Sequence, residues 1–93
     1  MKLTPKAATA VDIIIHTITT FQQELAPLSA ACDVMIDGMM QLKGAGHLAE
    51  DMPQRMIAAN ATIAGLPAAS KALEIIGPAC DIIAHEIEGL PQT

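Results

Sequence analysis

The sequence predicts an all-α protein, a single domain over residues 1–93 folded as a small helical bundle of four to five helical segments and completed by oligomerisation. Three observations carry this expectation. From Val11 to Leu42 an unbroken three-four spacing runs through Val11, Ile14, Ile18, Phe21, Leu25, Leu28, Cys32, Met35, Met39 and Leu42, all apolar, which is the pattern of a helix-packing seam. A second seam passes through Leu66, Ala69, Leu73, Ile76, Cys80, Ile83, Ile87 and Leu90. No period-two stretch is framed by hairpin signals, so no sheet is expected.

Each element has its own signals. Thr4 is placed to cap a first helix, with Pro5 at the first helical position, where a missing N–H costs nothing. That segment is expected over 5–25. Pro27 removes a donor and crowds the preceding turn. The seam keeps its phase across it with the proline on the outer face, which predicts a kinked or closely stacked continuation over 27–43 rather than a full reversal. Gly44-Ala45-Gly46 ends this segment, with Gly44 suited to the position just past the helix, and the loop 44–50 lets the chain turn back. Asp51 followed by Gln54 resembles a capping box, and Met52, Met56, Ala59 and Ile63 mark a third helix over 51–64 that stops at Gly65. Pro67 opens the fourth segment, 67–88, which should bend at Gly77-Pro78 without losing phase and stop near Gly89-Leu90-Pro91. Leu25, Cys32-Asp33 and Leu42 overlay on Leu73, Cys80-Asp81 and Leu90 as a faint internal repeat, which shared bundle constraints explain more cheaply than duplication.

Composition narrows the function classes. A 93-residue monomer buries only somewhat over ~60% of its unfolded surface, yet 52% of this chain is hydrophobic. The surplus is expected to be covered by a second copy of the chain or by a protein partner. Asp12, His16, Glu24, Asp33 and Asp37 interrupt the apolar runs before they reach the ~18 residues of a membrane span, and Asp12 and His16 break what would be a signal-peptide core. A cytoplasmic protein with no membrane partner follows as the expectation. Net charge is −5 with five Lys and Arg and one aromatic, Phe21. Without a basic cluster or a stacking platform, direct nucleic-acid binding is not expected. Cys32 and Cys80 fall on the seams and read as buried thiols. Asn60-Ala61-Thr62 matches a glycosylation sequon and, with no secretion signal expected, is read as a chance match.

No catalytic set emerges. Ser29 and Ser70 lie in no nucleophile elbow, and the glycines at 44 and 46 follow no strand and precede no Lys-Ser or Lys-Thr, so neither acyl transfer nor a phosphate loop is indicated. The one constellation with chemical potential is a repeated Asp-x-x-x-His, Asp12 with His16 and Asp81 with His85. Spacing of four sets each pair on one helical face, where two pairs from neighbouring helices or subunits can supply four ligands to zinc or another divalent metal. The plainer reading is a solvated local pair. Ile13 and Ile82 lie off the core stripes beside these pairs. The leading expectation is therefore a non-catalytic homo-oligomeric adaptor or inhibitor, with Asp12, Ile13, His16, Asp81, Ile82 and His85 as its contact surface and no resident cofactor. The alternative is a small-molecule- or metal-sequestering protein with Asp12, His16, Asp81 and His85 at subunit interfaces. Met35, Met39, Met40, Met52 and Met56 cluster around the central turn, either filling an aromatic-poor core or lining an adaptable groove.

Overall fold

A computed structural model describes residues 3–86, and the regular structure among these is helical, with no strand. Four α-helices follow in order: α1 (Pro5–Thr20), α2 (Ser29–Ala45), α3 (Met52–Ala64) and α4 (Ser70–Ala84). Short 3₁₀ turns, Ala26–Leu28 and Pro67–Ala69, lead into α2 and α4. Both carry a proline at their first or second position, where its fixed φ starts the turn and its missing N–H leaves nothing unpaired.

The helix pairs alternate in direction. Lys43 near the end of α2 reaches Asp12 in α1, Gly38 of α2 abuts Met56 of α3, and Thr4 at the start of α1 hydrogen-bonds Glu86 just past α4. The result is an up-down-up-down arrangement in which α1 lies against both α2 and α4, and α2 against α3.

Pro27 is the main departure from the sequence-based expectation. A helix continuous from Pro5 to Leu42 would be about 57 Å long at 1.5 Å per residue, whereas the longest dimension of the fold is 35 Å. The chain reverses here instead of kinking. α1 ends at Thr20, not at residue 25, and the turn that follows carries Leu25 into the core. The seam stays in register because the two helices fold onto the same interior, so phase alone did not distinguish a bend from a hairpin. The internal repeat is not matched at its first position, since Leu25 lies in this turn and Leu73 within α4, whereas Cys32 and Cys80 are both buried helical residues; Leu90 lies outside the described residues.

The remaining boundaries shift by small amounts with clear causes. α2 runs through Gly44 to Ala45, and Gly46, at φ 76°, is the left-handed cap whose N–H donates to the Leu42 carbonyl. Gly46, and not Gly44, is therefore the residue that needs glycine. Asp51 does precede α3, but its side chain makes no capping hydrogen bond, so the capping box does not form. α4 begins at Ser70, three residues after Pro67, and continues helically through Gly77 and Pro78, with Gly77 buried and Pro78 exposed. The expected stop at Gly89-Leu90-Pro91, with Ile87, lies outside the described residues.

The core follows the two seams closely. Val11, Ile14, Ile18, Leu25, Cys32, Met35, Met39 and Leu42 are buried, as are Ala69, Ile76, Cys80 and Ile83 of the second run and Met52, Met56, Ala59 and Ile63 of α3. Phe21, Leu28, Leu66 and Leu73 pack on its margin. Four of the clustered methionines therefore fill the core, and only Met40 projects outward. With one aromatic available, flexible thioethers supply the irregular volume. Most of the apparent apolar surplus is alanine on outer helix faces, such as Ala8, Ala30, Ala58 and Ala61. Ile13, Met40, Ile57 and Ile75 are the large hydrophobic side chains left exposed among the described residues.

Candidate interaction face between α1 and α4

The antiparallel pairing of α1 and α4 is fixed at one end by Thr4. Its Oγ1 accepts a hydrogen bond from the Ala7 N–H, capping α1, and donates one to Glu86 Oε2 at 2.6 Å. Counting inward from this tie sets Ile13 beside Ile75 near the middle of the pair. Together with Thr9, Asp12, His16 and Thr17 they line an open cleft of about 390 Å³. Thr17 is buried there, and its hydroxyl is satisfied by donating to the Ile13 carbonyl at 2.7 Å. Ile13 and Ile75 are 38% and 44% exposed, so two β-branched apolar side chains from adjacent helices line one cleft at the surface.

Asp12 and His16 border this cleft but do not act as a pair. Asp12 Oδ1 reaches across to Lys43 Nζ on α2 at 3.1 Å. The His16 Nε2 lies 3.4 Å from the Thr20 hydroxyl. Both Asp12 and Lys43 remain more than half exposed, so the ion pair is a loosely held surface contact.

The second Asp-x-x-x-His pair sits elsewhere. Asp81 is six residues beyond Ile75, about 9 Å further along α4 toward the Thr4 end. Asp81 is half-buried, and His85 is the exposed C-cap residue of α4, its N–H donating to the Asp81 carbonyl. Thus one chain does not bring Asp12, His16, Asp81 and His85 together, and no group of three or more His, Cys, Asp or Glu among the described residues is arranged to hold a metal ion. The expected six-residue surface divides in the same way. Asp12, Ile13 and His16 share one cleft, whereas Ile82 is half-buried against the core, contrary to the expectation that it is exposed.

Ile75 is the residue that the sequence reading missed. It lies seven positions before Ile82 and hence on nearly the same face of α4. Like Ile13, Ile75 is an isoleucine one step off the core stripe, flanked by Glu74 and the core residue Ile76. Met40 on α2 and Ile57 on α3 are exposed at other places in the fold.

The two thiols are positioned for packing. Cys32 and Cys80 are both free and buried. Burial, with the neighbouring Asp33 and Asp81 adding to it, raises both thiol pKa values, that of Cys80 from 9.0 to about 11. A thiol held neutral in this way is a poor nucleophile at neutral pH.

No family model, curated protein or solved structure matches this chain. No helix among the described residues is long and apolar enough to cross a membrane.

Proposed function

We propose that this chain is a non-catalytic helical protein that associates with itself and works by protein–protein contact, as an adaptor or inhibitor, through the face shared by α1 and α4. The observation that carries the reading is the side-by-side exposure of Ile13 and Ile75 in a cleft bordered by Asp12 and His16. Apolar contact at the centre with polar groups around it is the usual anatomy of a recognition patch. Rigid antiparallel helices hold the two isoleucines in place, so binding there orders little that is not already ordered.

The test is the native mass of the untagged protein, by light scattering and native mass spectrometry, compared with that of an Ile13→Ser/Ile75→Ser variant. A closed oligomer that the double substitution dissociates, in a variant that still melts cooperatively, supports the reading. An oligomer unaffected by it assigns the interface to another face, and a monomer at every concentration removes self-association from the function.

A further inference from the structure

We propose that the outer face of α4 pairs with the same face of a second copy of this chain, antiparallel, about a two-fold axis at Pro78. This rests on the reading of the α1/α4 face as self-associating, and it adds the partner's surface and register.

Lys71, Ile75, Pro78 and Ile82 follow four-three-four spacing along α4, and Glu86 lies four residues further on. At 100° per residue these five positions fall within an arc of about 80°, while Glu74 and Asp81 lie outside it. Lys71, Ile75, Pro78 and Glu86 are exposed, and Ile82 is half-buried. The stripe therefore carries a positive charge at one end, a negative charge at the other, and apolar groups between.

That order is self-complementary. A two-fold axis beside Pro78 sets Ile75 against Ile82 of the partner subunit and Lys71 against Glu86 of the partner subunit, and it does so twice, as an isologous contact requires. Parallel pairing would instead oppose like charges at both ends. A uniformly acidic or basic foreign partner would match one end of the stripe and be repelled by the other. Charge complementarity thus selects a second copy as the occupant, in the antiparallel sense. Pro78 suits the centre: its ring is exposed, and it has no N–H to lose to desolvation. Ile13, beside Ile75, extends the apolar contact onto α1.

The experiment uses the full chain. Pro78→Cys, mildly oxidised, is expected to give a reducible covalent dimer, because residues at a two-fold axis between packed helices come within disulfide range. Gln54→Cys, exposed on α3, and the unsubstituted chain with its buried thiols are expected to remain uncrosslinked. Lys71→Glu and Glu86→Lys are each expected to weaken self-association about tenfold in sedimentation velocity, with most of the affinity restored in the double variant. Thermal melts check that each variant is folded, since Glu86 also accepts from Thr4. A dimer that Ile13→Ser/Ile75→Ser dissociates, but that shows neither cross-linking at 78 nor charge rescue, overturns this register while leaving the face itself as the interface. A chain that is monomeric throughout overturns the pairing altogether.

Discussion

Met56 of α3 lays its thioether over the backbone of Gly38 in α2. A Cβ built on Gly38 would stand 2.9 Å from Met56 Cε and nearer still to its sulfur. Met56 is fully buried, so its tip has little freedom to swing away. Glycine here is what allows α2 and α3 to approach closely, and its cost in helix propensity, up to about 1 kcal/mol relative to alanine, is offset by that packing.

Gly38→Ala is accordingly expected to lower stability by about 1–2 kcal/mol, the overpacking outweighing the propensity gain. Thermal unfolding followed by circular dichroism checks this. In a Met56→Ala background, which by itself should cost about 2–5 kcal/mol, the same glycine substitution is expected to be neutral or stabilising, because the atoms it meets are gone. An unchanged or raised Tm for Gly38→Ala alone would show that the thioether moves aside freely.

The buried Cys80 thiol is expected to lower stability at alkaline pH. Its folded pKa, about 11, exceeds the 9.0 of a solvated thiol, mainly through burial. Both states are protonated well below pH 9. Between pH 9 and 11 the unfolded chain releases the proton while the folded chain keeps it, so the unfolding free energy declines with rising pH across that window. The expected loss is about 2 kcal/mol, less in Cys80→Ala, as denaturant titrations at pH 8 and pH 10.5 would measure. Equal losses in the two proteins would assign the alkaline sensitivity to another group.

Thr4 caps α1 and ties it to Glu86, so Thr4→Ala should cost about 1–2 kcal/mol in chemical denaturation. Thr4→Ser keeps the hydroxyl and is expected to recover most of this. If alanine and serine behave alike, the hydroxyl contributes little and the methyl group is what matters.

Asp12→Asn and Lys43→Ala are expected to change stability by no more than about 0.5 kcal/mol each, because both side chains are more than half exposed and the pair is screened by solvent. Their midpoints should also be insensitive to added salt. A loss of several degrees in Tm on removing either charge would show that this contact holds α1 and α2 together.

The sequence was most legible where burial and periodicity act together. The seam positions from Val11 to Leu42 other than the half-buried Phe21 and Leu28, the methionine-led stripe of α3, and Ile76, Cys80 and Ile83 in α4 are buried where their spacing puts them. Thr4 and Pro5 were readable because capping is a local matter. Direction was not. The seam passes through Pro27 in phase whether the chain bends or reverses, and the reversal depends on tertiary packing that spacing does not encode. The sequence does not separate Gly46 from Gly44, because both glycines satisfy the composition rule and only backbone geometry tells them apart. At the surface, Ile13 was legible as an isoleucine off the stripe, but Ile82 sinks against the core while Ile75 does not. The Asp-x-x-x-His pairs were visible as motifs, yet their separation along α1 and α4 follows from a helix register that the sequence leaves open.

The Thr4–Glu86 hydrogen bond links positions 82 residues apart, and α1 makes its most extensive helix contact with α4. The order of synthesis therefore runs against the order of packing. A growing chain emerges with α1 first and α4 last, and α2 and α3 can pair as a local hairpin while one flank of α1 still faces solvent. Closure must then draw together the two most distant helices, a step whose loop entropy slows folding relative to a bundle built from sequential neighbours alone. Until residue 86 has left the ribosome, the apolar flank of α1 stays uncovered, and that interval is when the nascent protein is most open to capture by chaperones or by other copies of itself.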